Sequence, residues 1–135
     1  MSNSAKAILF DKGGRILVLY RSDTHPLHAH HLDFPGGLIE DGESPNDAVA
    51  REILEETGLE VASENLELAN TNNPRIGSTQ RIFTYTYDTS EPQVIISWEH
   101  ESYRWLTTDE FMAEVIPVNA DIYHHIVLEH LSLNT

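Results

Sequence analysis

One segment of the chain carries a complete set of helix start and stop signals, and it constrains the fold more than any other feature. Ser44 is a preferred N-cap residue, Pro45 suits the first helical position, and Asp47 stands where the acid of a capping box belongs. Gly58 suits the stop, because glycine readily adopts the left-handed conformation that ends helices. The sequence therefore predicts one helix from Pro45 to Thr57.

The same helix crowds carboxylates where they oppose its dipole. At about 100° per residue, Glu52, Glu55 and Glu56 fall on one side within an arc of roughly 100°. Glu52 and Glu56 form a like-charge i,i+4 pair, and each such effect costs from a few tenths to about 1 kcal/mol. Arg51 lies four residues before Glu55 and can orient its carboxylate. One interpretation is that these carboxylates bind Mg²⁺ or Mn²⁺, which prefer oxygen ligands and typically also contact substrate phosphates. The alternative is that they form a solvated acidic face of the helix.

Strand-like segments surround this helix. They cover Ala5–Phe10, Arg15–Tyr20, Leu66–Thr71, Arg81–Tyr87, Val94–Ser97 and Tyr103–Leu106. A short helix is predicted through Phe111 to Val115, capped by Thr107 or Thr108, and a last one from about Asn119 to Leu131. Helices separated by many strands indicate an α/β or α+β layered fold, and 135 residues suit a single domain over residues 1–135.

Charge and composition narrow the classes of function. The formal net charge is −14, which argues against a nucleic-acid polymer as partner, because binding its backbone calls for a basic patch. The chain has no cysteine, so disulfides and thiolate metal sites are excluded. No apolar run approaches the length of a membrane span, and the start MSNSAKAILF lacks the long apolar core of a secretory signal. These features predict a cytoplasmic protein with no membrane partner.

The stretch GLIEDGESPNDAVAREILEETGL, Gly37 to Leu59, resembles the Nudix box, the signature of the Nudix hydrolases. Every fixed position of that signature is filled, by Gly37, Glu43, Arg51, Glu52, Ile53, Glu55, Glu56, Gly58 and Leu59. LDFPGG before the box and HESYRW after it are similar to flanking patterns in the family, so the resemblance covers most of the chain. It implies an α/β/α sandwich around a mixed sheet, with the box as loop-helix-loop.

The resemblance also implies a reaction. It implies Mg²⁺- or Mn²⁺-dependent hydrolysis of a pyrophosphate bond in a nucleoside diphosphate linked to another moiety. Length and the run from Leu32 to Leu59 resemble the MutT-type enzymes most, which favours a nucleoside triphosphate, an 8-oxo-purine one included. ADP-ribose, a dinucleoside polyphosphate and a nucleotide sugar are alternative small-molecule substrates, and monomer and homodimer both stay open. A non-catalytic nucleotide-binding module is disfavoured, since all box carboxylates are retained.

Residue roles carry over position by position. By the resemblance, the metal ligands are Glu52, Glu55, Glu56 and the backbone carbonyl of Gly36, and supporting residues are Gly37, Glu43 and Arg51. The general base of family members is often a Glu outside the box, and Glu99 and Glu101 are the candidates here. In MutT-type proteins an acid directly precedes the tryptophan, whereas this chain has Arg104, so both candidates stay open.

Four residues are candidates for contacts with the substrate, each with a structural alternative. Asn119 resembles the Asn that a MutT-type enzyme offers to a guanine base, but Asn also favours helix N-caps. Phe34 and Phe83 can stack on a base, although aromatic side chains in strands are more often core. Arg21 can contact phosphate or remain a surface residue.

A histidine-rich loop offers a rival function. His25, His28, His30 and His31 lie within seven residues, and neutral imidazoles suit zinc. Their irregular spacing and the lack of cysteine make a structural zinc site a weak hypothesis. A zinc-binding protein is therefore the third class of function considered.

Overall fold

The computed structural model describes residues 2–23, 31–114 and 120–133, which form seven strands, three α-helices and one short 3₁₀ helix at Ser63–Asn65. The strands are β1 (Ser2–Phe10), β2 (Ile16–Arg21), β3 (Leu32–Asp33), β4 (Gly36–Leu38), β5 (Glu67–Asn72), β6 (Ser78–Thr86) and β7 (His100–Leu106). The α-helices are α1 (Pro45–Thr57), α2 (Thr108–Glu114) and α3 (Ala120–Leu133). No helix in these ranges is both long and apolar enough to cross a membrane.

Two diverging strands shape the sheet around the site. β1 and β2 pair antiparallel only at Phe10 and Ile16, beside their turn. Farther from the turn β4 pairs with β1, and β3 pairs with β2, so the segment LDFPGG fills the gap between them. β6 runs parallel to β1 and antiparallel to β5, while β7 runs antiparallel to β2. The result is the mixed sheet that the family resemblance implies.

Alternate residues of β1 face opposite sides of the sheet, and helices cover each side. One core cluster contains Ala5, Ala7 and Leu9 of β1 with Val49 and Ile53 of α1. The other contains Ile8 and Phe10 of β1 with Phe111 of α2 and Ile126 and Val127 of α3. Because the sheet has a helix layer on each face, the predicted α/β/α sandwich is confirmed.

Helix α1 begins and ends where its local signals predict. The Ser44 hydroxyl accepts a hydrogen bond from the Asp47 N–H at 3.1 Å, which satisfies one of the free donors of the first turn. Gly58 adopts φ 73°, and its N–H donates to the carbonyl of Leu54. The predicted bounds Pro45 and Thr57 are confirmed.

The strand predicted over Val94–Ser97 is wrong. This segment has no regular structure, and its backbone is used by the end of α1 instead. The Ile95 N–H donates to the Thr57 carbonyl at 2.8 Å, and the Ser97 N–H donates to the Glu56 carbonyl at 3.3 Å. The last carbonyls of a helix have no hydrogen-bond partner within the helix. Here they accept from the N–H groups of this segment, which are then not used for pairing in the sheet.

The two later helices follow their predicted positions with shifted ends. Thr107, of the two predicted caps, starts α2: its Oγ1 accepts from the Glu110 N–H at 3.3 Å, and its own N–H donates to the Glu110 carboxylate at 2.9 Å. Val115 and Asn119 lie outside the described residues. The predicted end of α2 and start of α3 therefore fall there.

Acidification is expected to loosen the docking of α3 through His130. The His130 ring stacks on Phe10 at 3.7 Å between centroids, and its Nε2 lies 3.3 Å from the Thr86 hydroxyl. Burial lowers the pKa of His130, although the negative charge of Glu67 opposes this shift. His130, Glu67 and Glu129 line one small cavity between α3 and β5. Because the unfolded chain then binds more protons, stability falls as pH drops through the ordinary value of about 6.5 towards the lower folded value.

Thermal unfolding from pH 7 to pH 5 checks this. The melting temperature should fall less steeply in His130→Gln than in the parent protein. His125 is a matched control, because its side chain is 78% exposed and pairs with Glu129 on the same helix. Equal slopes in parent and His130→Gln would contradict the expectation.

Candidate active site

Glu56 is the most deeply placed carboxylate of the acidic helix face, with 4% of the residue exposed. Its Oε1 accepts a long hydrogen bond, 3.4 Å, from the Gly36 N–H of β4. Burial, together with a hydrogen bond to the neighbouring Glu52, raises the pKa of Glu56 well above its ordinary range. Two carboxyl groups thus share one small space at the open end of β1 and β2.

Arg51 organises the exposed side of the same cluster. Its Nε donates to Glu43 at 2.8 Å, and its Nη1 donates to Glu52 at 3.1 Å and to Glu55 at 3.3 Å. The hydrogen bond from Arg51 holds the pKa of Glu43 below its ordinary value. One guanidinium therefore contacts three carboxylates and neutralises part of their charge. It orients Glu55 at the predicted i,i+4 spacing.

The predicted metal ligands are only partly assembled. Among the described residues, no group of three or more His, Cys, Asp or Glu side chains stands ready to hold a metal ion. Glu52 and Glu56 meet, but Glu55 is 56% exposed and turned to Arg51. The donor chemistry nevertheless fits a hard divalent cation, because the oxygen atoms of Glu52 and Glu56 already lie together, and an exposed Glu55 can rotate to join them.

Gly36 and Gly37 bring backbone close to these carboxylates. A Cβ on Gly37 would lie 2.8 Å from Oε1 of Glu52. A Cβ on Gly36 would lie 2.1 Å from the Ala5 carbonyl oxygen, because β4 passes directly beside β1. Space at this point is therefore reserved for backbone. The Gly36 carbonyl as a ligand stays a prediction.

The two candidate bases differ in how they are held. Glu99 lies in the loop before β7, and its carbonyl accepts from the Ser22 N–H at 3.0 Å. The N–H of Ser97, two residues earlier, donates to the Glu56 carbonyl, so this loop is tied to the carboxylate-bearing end of α1. Glu101 is exposed and follows buried His100 on β7 at an irregular step in the pairing with β2, where His100 lies opposite Arg21 and Ser102 lies opposite Tyr20.

The structure corrects two of the substrate contacts predicted from sequence. Phe34 is 5% exposed and stacks on Tyr123 at 4.3 Å, and Phe83 is 2% exposed in the core against α1. Neither ring has an accessible face on which a nucleobase could stack, because each is packed in the core on one side of the sheet. Arg21 is half-buried at the end of β2, with Nε 3.4 Å from Asp33 Oδ2, which leaves the phosphate role a prediction. Asn119 lies outside the described residues.

A buried polar cluster beneath Glu56 was missed from the sequence. It contains Lys6, Asp33 and His100, of which His100 Nε2 lies 4.0 Å from Glu56 Oε2. A signal was present: Lys6 interrupts the apolar strand AKAILF, and a charge inside such a strand requires a partner. His100 lies between Glu99 and Glu101 in the sequence, and only these two acids were predicted to belong to the site.

The histidine-rich loop gives no support to a zinc site. His25, His28 and His30 lie outside the described residues, and His31 is exposed. The zinc hypothesis remains a prediction without structural backing.

Comparisons with known proteins agree with this geometry. The model of the NUDIX domain family matches residues 2–126. The RNA pyrophosphohydrolase of Wolbachia pipientis subsp. Culex pipiens is 27% identical over 144 residues, covering 93% of this chain and 86% of that protein. A MutT-like protein of Streptomyces ambofaciens is 32% identical over 120 residues, covering 87% and 73%. The structure of a MutT protein from Methanosarcina mazei Go1 is similar in fold, with a TM-score of 0.77, 24% identity and coverage of 96% and 94%.

A mixed sheet between helix layers, with a carboxylate-bearing helix at its open end, defines the architecture of a Nudix hydrolase. The match to the family model covers most of the chain, and the chain belongs to the Nudix family. It is accordingly a Nudix hydrolase, and enzymes of this family generally use divalent metal ions.

Proposed function

We propose that the protein hydrolyses a nucleoside triphosphate, an 8-oxo-purine triphosphate included, to the monophosphate and pyrophosphate with Mg²⁺ or Mn²⁺. Water attacks a phosphorus atom, the bridging P–O bond breaks, and the leaving oxygen takes its electron pair with the pyrophosphate. The proton lost by water passes to a carboxylate base. The observation that carries the proposal is Glu56, buried beside Glu52 on α1 and contacted by the Gly36 backbone.

Each residue has a role that follows from its place. Glu52, Glu56 and a rotated Glu55 would hold the cation, with the Gly36 carbonyl as a further ligand. When bound, the cation neutralises phosphate charge and activates water for attack on phosphorus. Arg51 keeps Glu52 and Glu55 oriented, while Glu43 fixes Arg51 at 2.8 Å.

Glu99 is the proposed general base. The loop that carries it is tied to the Glu56 carbonyl through Ser97 and to the end of β2 through Ser22. Glu101 follows His100 on β7, at the irregular step in its pairing with β2, and is the alternative base. Arg21 sits at the end of β2 next to this loop, where a cation can meet a phosphate of the substrate.

The 5′ end of a triphosphorylated RNA is a second candidate substrate, because several relatives are named RNA pyrophosphohydrolases. The bond cleaved would be of the same chemical kind. The net charge of −14 weighs against it, since an RNA backbone would be repelled at low ionic strength.

A product assay with a substrate panel tests the proposal. The panel contains common and 8-oxo-purine nucleoside triphosphates, ADP-ribose, a nucleotide sugar, a dinucleoside polyphosphate and a 5′-triphosphorylated RNA oligonucleotide. We expect monophosphate and pyrophosphate from a nucleoside triphosphate, only with Mg²⁺ or Mn²⁺ present.

Glu52→Gln, purified in parallel, is the control against contaminating phosphatases. Faster release from another panel member would overturn the triphosphate proposal and name the substrate. No release from any member with either metal would contradict catalysis and favour a nucleotide-binding module.

A further inference from the structure

The floor of the proposed metal site is a charged cluster that centres on Asp33. Lys6 Nζ donates to Asp33 Oδ1 at 3.2 Å, and Arg21 Nε lies 3.4 Å from Asp33 Oδ2. His100 Nε2 lies 3.2 Å from the same Oδ2. One carboxylate thus gathers three cationic or polar side chains from β1, β2 and β7.

This cluster is largely buried, so its polar groups have lost most of their contact with water and depend on one another as partners. The side chains of Asp33 and His100 are 12% and 1% exposed. Burial alone would raise the pKa of Asp33, but the charges of Lys6 and Arg21 and the hydrogen bond with His100 hold it well below its ordinary value. Asp33 is therefore an anion that can only accept hydrogen bonds.

The charge of Asp33 fixes the orientation of the His100 ring. Because Asp33 accepts at Oδ2, the facing Nε2 of His100 carries a hydrogen. The same Nε2 lies 4.0 Å from Glu56 Oε2, so the N–H edge of the ring stands between the two carboxylates. Nδ1 of His100 is buried without a hydrogen-bond partner in the described ranges, so Asp33 is the group that sets the ring.

Asp33 also fixes the backbone that approaches Glu56. Its Oδ1 accepts from the Phe34 N–H at 2.9 Å, and Lys6 Nζ bonds the Phe34 carbonyl at 3.2 Å. Two residues after Phe34, the Gly36 N–H reaches Glu56 Oε1. Two groups next to the Glu56 carboxylate are thus linked to Asp33, the His100 ring directly and the Gly36 N–H through the backbone that follows Phe34.

We propose that Asp33 and His100 are positioning residues that hold the Glu56 carboxylate in place for a divalent cation. The inference rests on the proposed function for the identity of Glu56 as a ligand. Residues that surround metal ligands and fix their orientation typically contribute about 10- to 100-fold to metal affinity. Loss of either residue should therefore weaken metal binding without removing a ligand.

Binding of Mn²⁺ alone to the full chain tests this, measured by electron paramagnetic resonance as the loss of the free Mn²⁺ signal. Asp33→Asn and His100→Leu should each raise the Kd for Mn²⁺ by about 10- to 100-fold. His100→Gln should restore most of the affinity, because its amide nitrogen reaches the position of Nε2 and can still donate to Asp33. A merely structural role for His100 predicts no difference between Leu and Gln at equal stability.

Asp11→Asn is the matched control. Asp11 is also buried and also accepts backbone hydrogen bonds, from Gly13 and Arg15 at 2.9 and 2.8 Å, but it follows the far end of β1. Asp11 lies five positions after Lys6, about 16 Å along a strand. Asp11→Asn should lower the melting temperature and leave the Kd for Mn²⁺ unchanged.

The outcomes separate the two proposals. Folded Asp33→Asn and His100→Leu proteins that bind Mn²⁺ within twofold of the parent would overturn this inference alone. A parent protein that binds no Mn²⁺ would overturn both the inference and the metal site of the proposed function. If Asp33→Asn does not fold, the comparison of His100→Leu with His100→Gln decides.

Discussion

Glu52→Gln and Glu56→Gln are each expected to lower kcat by about 1,000-fold while the protein stays folded. Loss of a charged ligand removes several kcal/mol of stabilisation of the developing charge, and about 4 kcal/mol corresponds to about 1,000-fold in rate. Without metal, the free energy of unfolding should stay equal or rise slightly. The reason is that burial raises the pKa of Glu56, and the contact with Glu52 in a like-charge i,i+4 pair raises it further. Steady-state kinetics at saturating Mg²⁺ and urea unfolding in EDTA measure the two effects.

Glu60→Gln is the matched control, since Glu60 is exposed just beyond α1. It makes the same chemical change outside the cluster and should keep parental turnover. Unchanged turnover in both Glu52→Gln and Glu56→Gln would contradict the assignment of these residues as metal ligands. A loss in Glu60→Gln of similar size would show that net charge, and not ligation, had been measured.

Gly36→Ala and Gly37→Ala should fail in different ways although the residues are adjacent. At Gly36, φ is 146° and a Cβ would lie 2.1 Å from the Ala5 carbonyl oxygen, a backbone atom that the β1–β4 pairing holds in place. Backbone strain and overpacking each cost about 1–3 kcal/mol, so Gly36→Ala should lose about 2–6 kcal/mol of unfolding free energy. Urea unfolding measures this, and the loss is a large part of the 5–15 kcal/mol that holds a typical domain.

At Gly37 the new Cβ would meet the end of a side chain instead. It would lie 2.8 Å from Oε1 of Glu52, which can move. Gly37→Ala should therefore fold with near-parental stability but displace a proposed ligand, which raises the Kd for Mn²⁺ and lowers kcat. A parental kcat in Gly37→Ala, or parental stability in Gly36→Ala, would contradict the geometry described for the LDFPGG segment.

Local signals in the sequence were sufficient for the helix that carries the site. Ser44 and Gly58 satisfy the free N–H and C=O groups of the helix ends through their own neighbours, so α1 has the bounds that its caps predict. The periodicity of α1 likewise places Glu52 and Glu56 together, because a helix repeats every 3.6 residues whatever surrounds it. The family pattern over Gly37 to Leu59 is contained in the same local stretch.

Contacts between distant segments decided the rest. Val94–Ser97 has strand composition, yet its N–H groups serve the end of α1, a partner that no local pattern names. Phe34 became core because Tyr123, 89 positions away, covers its ring. Lys6, Asp33 and His100 meet only when β1, β3 and β7 join one sheet, in which β3 and β7 both pair with β2. The carboxylate helix follows from the sequence alone, since caps and periodicity act within a few residues. The polar cluster beneath Glu56 depends on the assembled sheet, because a buried charge takes its partners from wherever the fold brings them.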